Sequence, residues 1–132
     1  IWYGGNVPAH EHYNWTRYYA LNLHSVFYRG TVEWRCFNST LHAGKVAVYV
    51  NLCLAMSAQA IAQRSAVMRK TRSDNELYTF RVWLVRLGLN GDEFKNTRDH
   101  LLANLEGDRA WRYEKESYEK NRKKRTSGER ER

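Results

Sequence analysis

The sequence predicts an α+β fold, a short antiparallel strand pair followed by three or four helices. Three observations predict it. Residues 19–24 and 30–37 alternate polar and apolar and are rich in aromatic and β-branched types. After residue 41 the apolar residues recur at helical spacing. Gly88, Asn90-Gly91 and Gly107 then cut the second half into helix-length pieces.

Ile1 to Trp15 holds Gly4-Gly5, Asn6, Pro8 and several aromatics, and reads as a loop or lid. His10 and His12 flank Glu11 on an extended segment; with no third ligand nearby they read as solvent-facing histidines and not as a metal pair. The first strand covers Tyr19 to His24, with Leu21 and Leu23 on one face and Asn22 and His24 on the other. Tyr28-Arg29-Gly30 reads as the turn into a second strand, Gly30 to Phe37. On that strand Val32, Trp34 and Cys36 would face a core, while Glu33 and Arg35 share the polar side. A short connection makes the pair antiparallel, and Asn22 reaches Glu33 only if the register brings them opposite.

Asn38-Ser39-Thr40 breaks the strand. A long helix is expected from Leu41 or His42 to about Arg69, with Val46, Val50, Cys53, Ser57, Ala60 and Ile61 at helical spacing and Val48, Leu52 and Leu54 off that stripe, so covered on more than one side. Ser73-Asp74-Asn75-Glu76 has the form of a capping box for a second helix to Leu87, carrying Leu77, Phe80, Leu84 and Leu87. Asp92 opens a third helix, with Phe94, Leu101, Leu102 and Leu105 buried. A last helical segment from about Arg109 carries Glu116–Lys120 and Glu119–Lys123 pairs and projects into solvent.

The chain has 132 residues and a net charge of +8. Residues 1–108 hold twelve Lys/Arg against nine Asp/Glu, so the remaining +5 lies in residues 109–132. The basic balance is mostly a property of the tail. Residues 1–108 are therefore read as one domain and 109–132 as a basic, partly helical tail. The apolar run at 46–62 is interrupted by Tyr49, Asn51, Ser57 and Gln59, which argues against a membrane span. Cys36 and Cys53 match no metal or redox spacing and read as buried free thiols in a reducing, cytoplasmic setting. The absence of an initiator methionine before Ile1 leads to the expectation that the sequence is the C-terminal portion of something longer.

The chemistry-bearing feature is the acid–base pair on one strand face. A carboxylate at Glu33 can coordinate Mg2+, and the guanidinium of Arg35 can grip phosphate oxygens in a fork. Arg17 adds a positive charge and Asn22 a neutral hydrogen-bonding group, while Asn38 and Thr40 lie in the loop beyond the strand. From spacing alone, an exposed ion pair on a solvated strand face accounts for the same pattern.

The stretch Arg17-Tyr-Tyr-Ala-Leu-Asn22-Leu23, followed by Gly30-Thr-Val-Glu33-Trp-Arg35-Cys-Phe-Asn38-Ser-Thr40-Leu41, resembles the signature of the amidoligase family, carboxylate–amine ligases with a glutamine synthetase-like fold. The likeness continues through His42-Ala-Gly-Lys45 and the long helix, returns weakly at Gly88-Leu89 and Glu93-Phe-Lys95, and so covers roughly residues 15–108. It implies that 1–108 is the C-terminal portion of an amidoligase-like domain and that the strand pair is the end of a larger sheet. It further implies ATP-dependent amide formation through an acyl phosphate, with ATP and Mg2+ as cofactors and a small-molecule or peptide carboxylate and an amine as partners. By the resemblance, Glu33 is the metal carboxylate, Arg35 the phosphate contact, Arg17 a nucleotide or substrate-phosphate contact, and Asn22 a site-lining residue. Other metal carboxylates of such folds precede this motif, so the chain alone is expected to be incomplete and inactive. The rival reading is a basic nucleic-acid-binding or partner-binding module without catalysis, resting on Arg122-Lys-Lys-Arg125 and the abundant aromatics.

Overall fold

A computed structural model describes residues 11–113, 116–119 and 122. In order they form a 3-10 turn at Trp15–Tyr18, β1 (Leu21–Asn22), α1 (Ser25–Arg29), β2 (Glu33–Trp34), α2 (Ala43–Ala62), α3 (Glu76–Arg86) and α4 (Lys95–Leu102). The chain divides into two compact units, Ile1–Ala43 and Gly44–Arg132. The α+β class holds, with a two-stranded antiparallel sheet followed by α2, α3 and α4 among the described residues.

In the first unit β1 pairs with β2 in the register Leu21↔Trp34 and Asn22↔Glu33. The Arg35 amide extends the ladder by donating to the Ala20 carbonyl at 2.7 Å. The regular strand is much shorter than the Gly30–Phe37 run. Val32 and Cys36 are exposed and only Trp34 of that face is half-buried, so the expected core face is not built. β-propensity is realised only where a neighbour supplies partners, and β2 has one neighbour over a few residues. The residues read as a turn form α1 instead, closed by the Gly30 amide on the Val26 carbonyl.

The buried residues described in this unit are polar: Thr16, Asn22 and His24. Thr16 donates from Oγ1 to Asn14 Oδ1 (2.7 Å), and Asn14 also caps the 3-10 turn through the Thr16 amide. His24 Nε2 lies 2.7 Å from the Glu11 carbonyl oxygen. A carbonyl only accepts, so Nε2 carries the proton.

The second unit holds the apolar core: Val48, Leu52, Leu77, Leu84, Leu89 and Leu102. The long helix is shorter than expected, with 63–75 outside any helix, and it is not covered on several sides. Its buried positions are Val48 and Leu52, while Val46, Val50, Leu54 and Ile61 of or beside the predicted stripe are exposed. Hydropathy shows that one face is apolar, but the neighbour decides which side is covered. Asn51 Nδ2 donates to Thr97 Oγ1 (3.0 Å), so the covered side of α2 is the one that reaches α4. By length and by a mean hydropathy of 1.4, α2 is also long and apolar enough to cross a membrane, contrary to the expectation from its polar interruptions. Core helices of soluble proteins meet the same two criteria.

Helix α3 begins two residues later than the Ser73 capping box implies. Ser73 Oγ is engaged by the Asn75 backbone and by Thr79 Oγ1 (2.6 Å), and Asn75 Oδ1 takes the Tyr78 amide instead. Asn75 Nδ2 also donates to the carbonyls of Asp108 (3.1 Å) and Trp111 (2.7 Å). One side chain thus caps α3 and ties down the chain after α4. Gly107 lies at φ +127°, and a Cβ there would collide with Asn75 Oδ1. Gly88, at positive φ, ends α3 with its own amide on Val85 and the Leu89 amide on Leu84. Arg98 Nη1 then grips the α3–α4 turn through the carbonyls of Leu89 and Gly91.

Helix α4 starts at Lys95, not Asp92, and buries Thr97 and Leu102, with Leu101 and Leu105 half-buried. Arg109–Tyr113 is not helical, because Asp108 Oδ1 turns the chain by accepting the amides of Ala110 (2.6 Å) and Trp111 (2.9 Å). Residues 116–119 and 122 are helical; the expected pairs to Lys120 and Lys123, and most of the basic tail, lie outside the described residues. Cys36 is exposed and Cys53 half-buried, so the expectation that they are buried does not hold.

Candidate functional site

Four of the six residues singled out by sequence come together on the strand pair. The register puts Asn22 opposite Glu33, and Asn22 Nδ2 donates to Glu33 Oε2 at 2.7 Å. The other amide atom, Asn22 Oδ1, accepts the His24 backbone N–H at 2.9 Å. Both ends of a buried amide are therefore satisfied, and its orientation is fixed. Arg35 Nη1 reaches Glu33 Oε1 at 3.0 Å, so each carboxylate oxygen has one donor and keeps a lone pair.

The third side chain around Glu33 is Arg17. The 3-10 turn capped by Asn14 carries it, and its guanidinium stands over the rings of Tyr13 (5.3 Å) and Tyr18 (5.6 Å). Arg35 is also 5.6 Å from the Tyr18 ring centroid. Tyr18 is thus a shared platform for two cations, which fixes guanidinium planes that otherwise sample many rotamers. The Glu33 carboxyl is held below its ordinary value, first by the Asn22 hydrogen bond, against partial desolvation, and then by the charge and hydrogen bond of Arg35 and the charge of Arg17. It is a carboxylate at neutral pH.

A cavity of about 210 Å3 opens beside this cluster. Asn22, Glu33 and Arg17 line it from the strands and the 3-10 turn; Ser25, Tyr28 and Arg29 line it from α1. Partial loss of solvent, and then the Glu11 carboxylate, raises the Tyr28 hydroxyl above the usual phenol range, so it stays a neutral donor. The Tyr28 ring meets the rings of His12 and His24 at 5.3 and 5.2 Å. Asn38 and Thr40 do not line the cavity. Asn38 is exposed, and Thr40 Oγ1 accepts the His42 amide just before α2.

The α1 side of the cavity is not legible as such in the sequence. The signal was there: Ser25 and Arg29 are spaced i, i+4 and share a face once 25–29 is taken as helix. His24 was placed on the polar face of the first strand, but its burial and its bond to Glu11 depend on a contact thirteen residues away. His10 lies outside the described residues, and among the described residues no three His, Cys, Asp or Glu gather as a metal group.

Residues 1–57 match the family model described as "putative amidoligase enzyme". This stretch is therefore similar to amidoligase sequences. The amidoligase match takes in the whole strand pair, the four clustered side chains and most of α2, and ends before α3 and α4. No curated protein and no solved structure matches the chain. The buried polar residues Thr16, Asn22 and His24 thus lie within the matched residues, and the apolar core lies for the most part beyond them.

Proposed function

We propose that the chain is part of an ATP-dependent carboxylate–amine ligase that makes an amide through an acyl phosphate. The observation that carries the reading is the Asn22–Glu33–Arg35 arrangement, with Arg17 beside it, inside the amidoligase-matched residues. Phosphoryl transfer asks little covalent chemistry of a protein and much charge alignment. A fixed carboxylate among aligned guanidinium groups supplies that.

Mg2+ is bound by one or two carboxylates together with substrate phosphates. Glu33 fits as one such ligand, since its oxygens keep free lone pairs. The ion would supply neutralisation of phosphate charge there. Asn22 fixes the carboxylate by donating to Oε2, and Arg35 and Arg17 present cations to the phosphate oxygens. In the first step a substrate carboxylate oxygen attacks the γ-phosphorus of ATP and ADP leaves with the bond pair. In the second the amine nitrogen attacks the acyl carbon, the C–O bond to phosphate breaks, phosphate leaves with its electrons, and the nitrogen gives up its extra protons to solvent. Exposed apolar groups in this unit, among them Phe27 and Val32, support the strand pair as the end of a larger glutamine synthetase-like sheet. On that reading the chain is one piece of the catalytic domain.

The test offers the full-length protein Mg-ATP, a carboxylate and an amine, and measures ADP. Glu33→Gln and Arg35→Lys are each expected to lower turnover about 100-fold or more, with the circular dichroism spectrum unchanged. Turnover that survives both substitutions overturns the assignment.

A further inference from the structure

The cavity beside Glu33 has a second charged side chain that the ligase reading leaves without a role. Arg29, at the last turn of α1, lines the cavity and makes no ion pair among the described residues. Glu33 has one donor on each oxygen, from Asn22 and Arg35, and keeps a lone pair on each, while Arg17 stands over the Tyr13 and Tyr18 rings. The concavity therefore offers an unmatched guanidinium contributed by α1 and a carboxylate contributed by β2. The lining also holds the hydroxyl-bearing Ser25, Tyr28 and Thr31. Ser25 Oγ is already turned to the Thr31 carbonyl (2.6 Å), which leaves the Tyr28 and Thr31 hydroxyls to a ligand.

Size narrows the ligand. At about 210 Å3 the cavity is smaller than the roughly 300 Å3 at which pockets for drug-sized molecules begin. An amino-acid-sized molecule is of that scale. A cation and an anion in one small cavity match a ligand that itself carries both charges. Aromatic faces such as Tyr28 also favour an ammonium group.

The geometry points to a binding site for a small zwitterionic α-amino acid, its carboxylate on Arg29 and its ammonium toward Glu33 and the Tyr28 ring. This rests on the ligase reading only for the amino acid's role, which is that of the amine substrate once its ammonium has given a proton to solvent: its nitrogen lies on the Glu33 side, beside the proposed phosphate contacts. Arg29 is then a specificity-determining residue that selects amines bearing a carboxylate.

The experiment separates binding from turnover. The full chain is titrated with L-alanine, with L-alaninamide, which lacks the carboxylate, and with propionate, which lacks the amine. The readout is the Arg29 guanidinium and Tyr28 ring NMR signals. Saturable shifts with L-alanine, at least about tenfold weaker for either half-molecule, are expected from the loss of one charged contact. Arg29→Met should abolish the preference for L-alanine over L-alaninamide, and Arg29→Lys should restore part of it. Arg29 is exposed at a helix end, so neither change threatens the fold. Equal binding of all three probes, an unchanged preference in Arg29→Met, or displacement of L-alanine from these signals by inorganic phosphate would overturn the assignment, the last by making the cavity a phosphate subsite. Because no nucleotide is needed, the result stands apart from the ADP assay: amino-acid binding without turnover refutes the ligase reading alone.

Discussion

Asn22→Asp isolates a single hydrogen bond at the centre of the site. The substitution keeps Oδ1, which accepts the His24 amide at 2.9 Å, and changes the Nδ2 donor to Glu33 into a second carboxylate oxygen. A hydrogen bond to a charged group contributes about 1.5–3 kcal/mol when well shielded. Glu33 is 47% exposed, so solvent screening reduces that to about 1 kcal/mol. In place of attraction the variant has two carboxylates in contact, a repulsion between about 1 kcal/mol in water and about 4 kcal/mol near a protein surface. The sum at pH 7 is a loss of roughly 2–5 kcal/mol. With a urea slope of about 1 kcal/mol/M, the low end of the usual range, the midpoint falls by about 2 M or more.

The pH dependence has opposite signs in the two proteins. In the parent, Glu33 is held below its ordinary value, so its contribution is fully present above about pH 4.5 and is lost as the pH falls through the depressed folded value. In Asn22→Asp the two carboxylates raise one another's affinity for a shared proton, so the deficit is largest at neutral pH and shrinks as the pH falls toward 4. Urea melts at pH 7 and pH 4, followed on the Trp34 indole NMR signal, report this unit. An unchanged midpoint at pH 7, or a deficit equal at both pH values, would refute the claim that Asn22 acts by donating to a charged Glu33.

Two further changes test the second unit. Gly107→Ala places a Cβ against Asn75 Oδ1 at a φ of +127°, so it should cost about 1–3 kcal/mol and increase hydrogen exchange at the Tyr78 amide, which that oxygen caps. Exchange at Tyr78 no faster than in the parent would disprove the link between the cap and the 107–111 chain. Leu84 is fully buried, and Leu84→Ala should cost about 2–5 kcal/mol and lower the calorimetric Tm by several degrees. A Tm within error of the parent would mean that Leu84 is not central to this core.

The sequence by itself determined the class of the fold, the order of its main elements and the candidate charged pair. Each depends on local pattern: alternation around Asn22 and Glu33, helical spacing after Ala43, glycine punctuation at Gly88 and Gly107. The amidoligase likeness is legible in the same residues, because it is carried by two short stretches, Arg17–Leu23 and Gly30–Leu41, that lie close together in the sequence. Tertiary structure decided what local pattern cannot encode. β2 is two residues long because, among the described residues, one strand pairs with it. Asn75, and not Ser73, caps α3, because Ser73 Oγ is engaged by Thr79 and the Asn75 backbone. Above all, the Asn22↔Glu33 register is fixed by pairing across eleven residues, and with it the 2.7 Å bond that orients the carboxylate. Two strands slipped by one residue would have the same composition and propensities, and Asn22 would face away from Glu33.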